Sequence, residues 1–187
     1  MQKSLKHEDM KVWNTVPEAE AWEVTGRSPI GTRWVDVNKG DWDSPDYRSR
    51  LVAQDLNGGD KSLELFAATP PLEAKKALFA VAASKKDRAG NRYKLAFIDI
   101  KKAYLFAKSK QPTYVRLPAE MAKPGYCARM NVSLYGTRSA AQNWEAEYTD
   151  TLLKAGFEQG KSSPCIFRHV KKDATVVVHG DDFTVMS

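Results

Sequence analysis

Apolar positions change their spacing along the chain, and each change predicts an element. Residues 1–26 are mostly polar, with tryptophans at 13 and 22. Within them Pro17-Glu-Ala-Glu-Ala-Trp-Glu-Val24 predicts a short helix, with proline at its start, acids in its first turn and Gly26 to end it. After a loop from Arg27 to Gly31, Thr32-Arg-Trp-Val-Asp-Val37 alternates as a strand does, and Arg48-Ser-Arg-Leu-Val-Ala53 does so again. Between them Asn38 to Tyr47 carries Gly40, Pro45, Asp41, Asp43 and Asp46, the composition of a hairpin loop. The second strand stops before a predicted Asn57-Gly-Gly-Asp60 turn, and residues 61–68 form a connector.

Helical spacing returns after Thr69, a suitable N-cap with Pro70 at the first helical position. Ala74, Ala77, Leu78, Val81 and Ala82 form one apolar stripe. A polar loop from Lys85 to Arg92 leads into the strongly apolar strand Leu95-Ala-Phe-Ile-Asp-Ile100. Thr113–Pro118 and Arg129–Tyr135 predict further strands, the latter from alternating Met130, Val132 and Leu134. Ser139 to Ala155 predicts a helix with Trp144, Tyr148, Leu152 and Ala155 on one face, stopped by Gly156. Pro164–His169 and Ala174–His179 predict strands joined by a turn at Lys171–Asp173. Phe183 and Val185 then resume alternation, so His179–Asp182 forms the tight turn of a β-hairpin. Strands and helices do not alternate regularly, which predicts an α+β fold with a largely antiparallel sheet packed on helices.

Composition narrows the setting. A length of 187 residues with 42% hydrophobic content suits one domain, or one domain and part of another. The net charge of +6 favours an anionic partner. Cys127 and Cys165, with His7, His169 and His179, match no zinc spacing, which leaves a reducing compartment as the expectation. The charged N-terminus predicts no signal peptide, and no apolar run reaches the roughly 18 residues of a membrane span. A cytoplasmic protein is expected.

The candidate chemistry lies in three acids. Asp181 and Asp182 occupy the tip of an apolar hairpin, and Asp99 sits between Ile98 and Ile100. Each has a plain reading: a solvated turn for the pair, a strand-end cap for Asp99. If the two strands are neighbours, however, three carboxylates gather at one sheet edge and need cations to remain ionised together. Mg²⁺ suits such oxygen donors, with Mn²⁺ as the alternative. Two ions about 3.5–4 Å apart would clamp an in-line displacement at phosphorus.

Phe97-Ile-Asp-Ile-Lys-Lys-Ala-Tyr-Leu105, Leu134-Tyr-Gly136 and Val178-His-Gly-Asp-Asp-Phe183, in that order along the chain, resemble segments of the reverse transcriptases of copia-type LTR retrotransposons. Phe97-Ile-Asp-Ile-Lys-Lys-Ala-Tyr-Leu105 resembles their first catalytic motif. Leu134-Tyr-Gly-Thr-Arg-Ser-Ala-Ala-Gln-Asn-Trp144 is similar to their Leu-Tyr-Gly-Leu-Lys-Gln-x-Pro-Arg-x-Trp motif, and Val178-His-Gly-Asp-Asp-Phe183 to their Tyr-Val-Asp-Asp hairpin. Ile30-Gly-Thr-Arg-Trp-Val35, Tyr47-Arg-Ser-Arg-Leu-Val-Ala-Gln54 and Tyr114-Val-Arg-Leu-Pro118 also match, all in family order. The resemblance implies polymerase fingers and an incomplete palm over residues 28–187, with residues 1–27 an N-terminal segment and the thumb absent. It implies an RNA-directed DNA polymerase acting on a primed RNA or DNA template with dNTPs. The remainder of a Pol polyprotein, thumb and RNase H included, would be its partner, and a retroelement particle its setting. Asp99, Asp181 and Asp182 match the catalytic, metal-binding acids. Tyr104 matches the aromatic beneath the incoming sugar. Ile100, Tyr135 and Gly136 match positions near the nucleotide, and Arg50, Arg48 and Arg33 are candidates for phosphate contacts.

The sequence departs from the family at His179 and Gly180, which replace Tyr and Val, and at Ser139, Ala141 and Gln142, which replace Gln, Pro and Arg. Two other readings compete. One is an inactive retroelement fragment that binds nucleic acid without turnover. The other is an unrelated two-metal phosphotransfer enzyme.

Overall fold

The computed structural model describes residues 11–55 and 69–187. In chain order these form β1 (Trp13–Pro17), α1 (Glu18–Thr25), β2 (Thr32–Asn38), β3 (Tyr47–Ala53), α2 (Leu72–Ser84) and β4 (Leu95–Asp99). A 3₁₀ turn at Ala103–Phe106 precedes β5 (Tyr114–Val115), β6 (Tyr126–Met130) and α3 (Ala140–Lys154). The chain continues through β7 (Glu158–Gln159), β8 (Ile166–His169), β9 (Ala174–His179) and β10 (Asp182–Met186). The α+β class and the antiparallel pairing of the named strands agree with the sequence expectation. The predicted Asn57–Asp60 turn and the 61–68 connector lie outside the described residues.

The described residues fall into two compact units, 11–55 with 104–143, and 69–103 with 144–187. The first contains the sheet β1-β6-β5 and the separate hairpin β2-β3. Its core gathers Val12, Ala53, Leu105, Val115, Ala128, Met130 and Leu134. Strand β1 has no clear alternation because Asn14 and Thr15 lie exposed on a sheet edge; pairing with β6 holds it extended. The strand expected at Arg129–Tyr135 instead ends at Met130. Beyond that point the backbone turns to other partners: Asn131 N–H donates to Val12 O, and Ser133 N–H donates to Ala107 O.

The second unit is a five-stranded sheet of order β4-β10-β9-β8-β7. Leu78 and Ala82 of α2 pack with Val177 and Met186. Trp144 and Tyr148 of α3 meet Phe183 edge-on, and Tyr148 also meets Phe167. Helix α2 starts at Leu72, after Pro71, rather than at Pro70 with Thr69 as cap. A residue that precedes proline is driven to extended geometry, so the Pro70-Pro71 pair delays the helix. Ala77 and Ala155, expected on buried faces, are exposed. The largest difference is β4. Its apolar sequence predicts burial, yet all five residues are exposed because β4 is the edge strand of its sheet.

Candidate functional site

Strand pairing brings the three acids together. β4 ends at Asp99 and β10 begins at Asp182, and the antiparallel register sets these residues directly opposite each other. Asp182 also faces His179 across the hairpin, so Gly180 and Asp181 are the two central residues of the turn. Gly180 has φ +64, the left-handed conformation that a type II′ turn requires at its first central position and that glycine adopts without strain. The Ile100 N–H donates to the Asp181 carbonyl over 2.9 Å, and the Trp144 Nε1–H donates to the Gly180 carbonyl over 2.8 Å. Carboxylate oxygens of Asp99, Asp181 and Asp182 all lie within 4.8 Å of one another, and all three residues are exposed.

No hydrogen bond or ion pair engages these carboxylates among the described residues. Three hard oxygen donors at this spacing, open to solvent, fit a divalent cation of the Mg²⁺ or Mn²⁺ class. A cavity of about 280 Å³ opens beside them, lined by Asp99, Asp182, Lys75, Phe79 and Phe97. Sequence reasoning missed Lys75. Its signal was available: Lys75, Leu78, Phe79 and Ala82 follow helical spacing, so the face that packs on the sheet extends one turn back to Lys75. The Lys75 ammonium is suited to an anionic ligand held beside the acids.

The remaining predicted residues, Ile100 apart, belong to the first unit. Tyr104 and Tyr135 meet with ring centroids 4.7 Å apart and planes inclined by 57°. Gly136 follows with φ +82, and a Cβ there would lie 2.1 Å from the Ala53 carbonyl oxygen and 2.6 Å from Val52 Cγ1. The Ala53 N–H donates to Tyr135 O over 2.7 Å, so this loop is seated against the end of β3. The β2–β3 register pairs Arg33 with Val52, Val35 with Arg50 and Val37 with Arg48. Alternation along each strand therefore puts Arg33, Arg48 and Arg50 on one face. Arg48 forms an exposed ion pair with Asp46 at 3.3 Å, a contact of small energetic weight. Ile100 lies in the second unit, where its backbone, rather than its side chain, anchors the acid-bearing turn.

Comparison with known proteins decides the family. The family model described as reverse transcriptase (RNA-dependent DNA polymerase) matches residues 11–187. The chain belongs to the reverse transcriptase family. Among curated relatives, the Transposon Ty1-ER2 Gag-Pol polyprotein of Saccharomyces cerevisiae is 25% identical over 181 residues, covering 95% of this chain and 10% of the polyprotein. The Ty1-BL Gag-Pol polyprotein of the same yeast is 28% identical over 180 residues, with the same coverage. The likeness to these transposon polyproteins agrees with the resemblance to copia-type reverse transcriptases. It spans about a tenth of the length of the Ty1 polyproteins it matches. No helix among the described residues is long and apolar enough to cross a membrane.

Proposed function

We propose that this chain forms the fingers and part of the palm of an RNA-directed DNA polymerase that joins dNTPs to a primer 3′-hydroxyl by two-metal chemistry. The observation that carries the proposal is the convergence of Asp99, Asp181 and Asp182 within 4.8 Å at the meeting of β4 and β10. In the reaction the primer 3′-oxygen bonds to the α-phosphorus, the bond from that phosphorus to the bridging oxygen breaks, and pyrophosphate leaves. When bound, a pair of Mg²⁺ ions supplies activation of the attacking hydroxyl and neutralisation of the charge that develops on the phosphates.

The chain's own residues provide placement. Asp99 and Asp181 hold the cations, with Asp182 as a third donor at the same edge. Lys75 places a positive charge on the wall of the adjoining cavity, where it balances phosphate oxygens. Tyr104, braced by Tyr135, provides the flat surface beneath the incoming sugar. Arg33, Arg48 and Arg50 present a basic face to triphosphate or template phosphates, since guanidinium pairs with phosphate oxygens in a bidentate manner. Template, primer, dNTPs and the rest of a Pol polyprotein are its partners.

Primer extension on an RNA template with Mg²⁺, by the protein in its polyprotein context, tests the proposal. dNTP incorporation is expected, reduced at least about 100-fold by Asp99→Asn or Asp181→Asn. Equal activity in either variant would sink the two-metal assignment. Nucleic-acid binding without incorporation in the native protein would favour the inactive-fragment reading, and nucleotide turnover with neither primer nor template would favour an unrelated phosphotransfer enzyme.

A further inference from the structure

The acid-bearing turn is glycine-led and therefore carries little stiffness of its own. A Cβ at Gly180 would meet nothing within 4 Å, so no packing confines that residue from its open side. Confinement comes from Trp144. Its Nε1–H donates to the Gly180 carbonyl over 2.8 Å. Its ring meets Phe183 edge-on, with centroids 6.3 Å apart. Gly180 and Phe183 bracket the Asp181–Asp182 pair, so one indole holds the residue before the acids and the residue after them. The indole is itself held, being 6% exposed and edge-on to Tyr148 at 5.7 Å. Tyr148 in turn meets Phe183 at 5.7 Å and Phe167 at 6.1 Å. On the other side, Ile100 N–H grips the Asp181 carbonyl, tying the turn to the residue after Asp99.

We propose that Trp144 is a positioning residue: its indole N–H latches the Gly180 carbonyl and so fixes the spacing of Asp181 and Asp182 relative to Asp99. The inference rests on the metal-centre reading above and adds a residue that touches neither substrate nor cation. Groups that orient ligating carboxylates commonly change metal affinity or activity by 10–100-fold when removed. A hydrogen bond to a glycine carbonyl acts here in that way, through the backbone.

Mn²⁺ binding to the 187-residue chain, measured by electron paramagnetic resonance of free Mn²⁺, provides a test independent of turnover. Trp144→Phe removes the N–H and part of the ring. Replacing Trp144 by 3-benzothienylalanine keeps the bicyclic shape and removes only the donor. Both are expected to weaken Mn²⁺ binding roughly 10-fold, with the benzothienyl protein melting close to the native temperature. Native affinity in the benzothienyl protein would overturn the latch and reduce Trp144 to packing. Asp181→Asn separates the two levels of the reading. If it weakens binding while the benzothienyl protein binds as the native does, the metal centre stands and the latch falls. If Asp181→Asn leaves binding unchanged, or the native chain binds no Mn²⁺, the metal-centre reading falls and the latch with it.

Discussion

Two acid-bearing hairpins, β2–β3 and β9–β10, solve opposite problems. The β2–β3 hairpin has a long polar tip, and two of its acids, Asp41 and Asp46, are engaged locally. Asn38 Oδ1 accepts the N–H groups of Gly40 and Asp46, and Asp41 Oδ1 accepts those of Asp43 and Ser44. These carboxylate and amide oxygens replace missing backbone partners, which is why the loop needs them. The β9–β10 hairpin has a two-residue turn flanked by β4 and β8 in a five-stranded sheet. Its turn carbonyls are held by Trp144 and Ile100, so its carboxylates have no structural task and remain available. The number of acids at a tip says little about chemistry. What matters is whether the backbone has already claimed their oxygens.

Each hairpin also leans on one position outside it, Gly136 for the first and Trp144 for the second. The largest stability effect is expected at Gly136. Gly136→Ala sets a Cβ against the Ala53 carbonyl at 2.1 Å and forces φ +82 on an L-residue. A loss of about 3 kcal/mol in denaturant titration is expected; a loss below about 1 kcal/mol would mean that the loop does not clamp β3.

The acids themselves should then respond with opposite signs. Asp41→Ala removes an acceptor from two backbone N–H groups and should lower stability by about 1 kcal/mol. Asp182→Asn removes a like charge directly opposite Asp99 and, in buffer free of divalent cations, should raise the melting temperature by about 1–2 °C. If both substitutions destabilise, the contrast between consumed and available acids is wrong.

The smallest effect concerns the other end of β9. Asp173 has φ +49 and accepts a hydrogen bond from the Tyr93 hydroxyl at 2.8 Å while pairing with Arg168. The Tyr93 bond first, then the Arg168 guanidinium, hold its carboxyl below the ordinary value of 3.8. A depressed folded value means that the stabilisation is complete above the unfolded value and is lost as pH falls through the folded one. Below about pH 4 the native chain should therefore lose stability more steeply than Asp173→Asn, which tolerates the positive φ. Parallel acid-unfolding curves for the two proteins would show that Asp173 is as uncommitted as Asp182.

Local chemistry made much of this legible from residues alone. Helix α1 with its Gly26 end, the β2–β3 and β9–β10 hairpins, and the body of α3 all follow from short-range spacing and turn residues. The motif order carried the family. Less legible were features set by a neighbour. Strand β1 is a strand because β6 pairs with it, and α2 starts late because two prolines stand together. β4 reads as buried because apolar sequence does not record which strand lies at a sheet edge.

The candidate site divides in the same way. By itself the sequence determined the residue types, the tight glycine-led turn and the pairing of Asp181 with Asp182, since these depend on bonds and contacts a few residues long. Only tertiary structure decided that β10 lies beside β4 in a register placing Asp182 opposite Asp99. It alone brought Lys75 into the cavity wall and the Trp144 indole, 36 residues away in sequence, onto the Gly180 carbonyl. Such long-range pairings are fixed by the packing of the whole sheet on its helices, and no local segment encodes that packing.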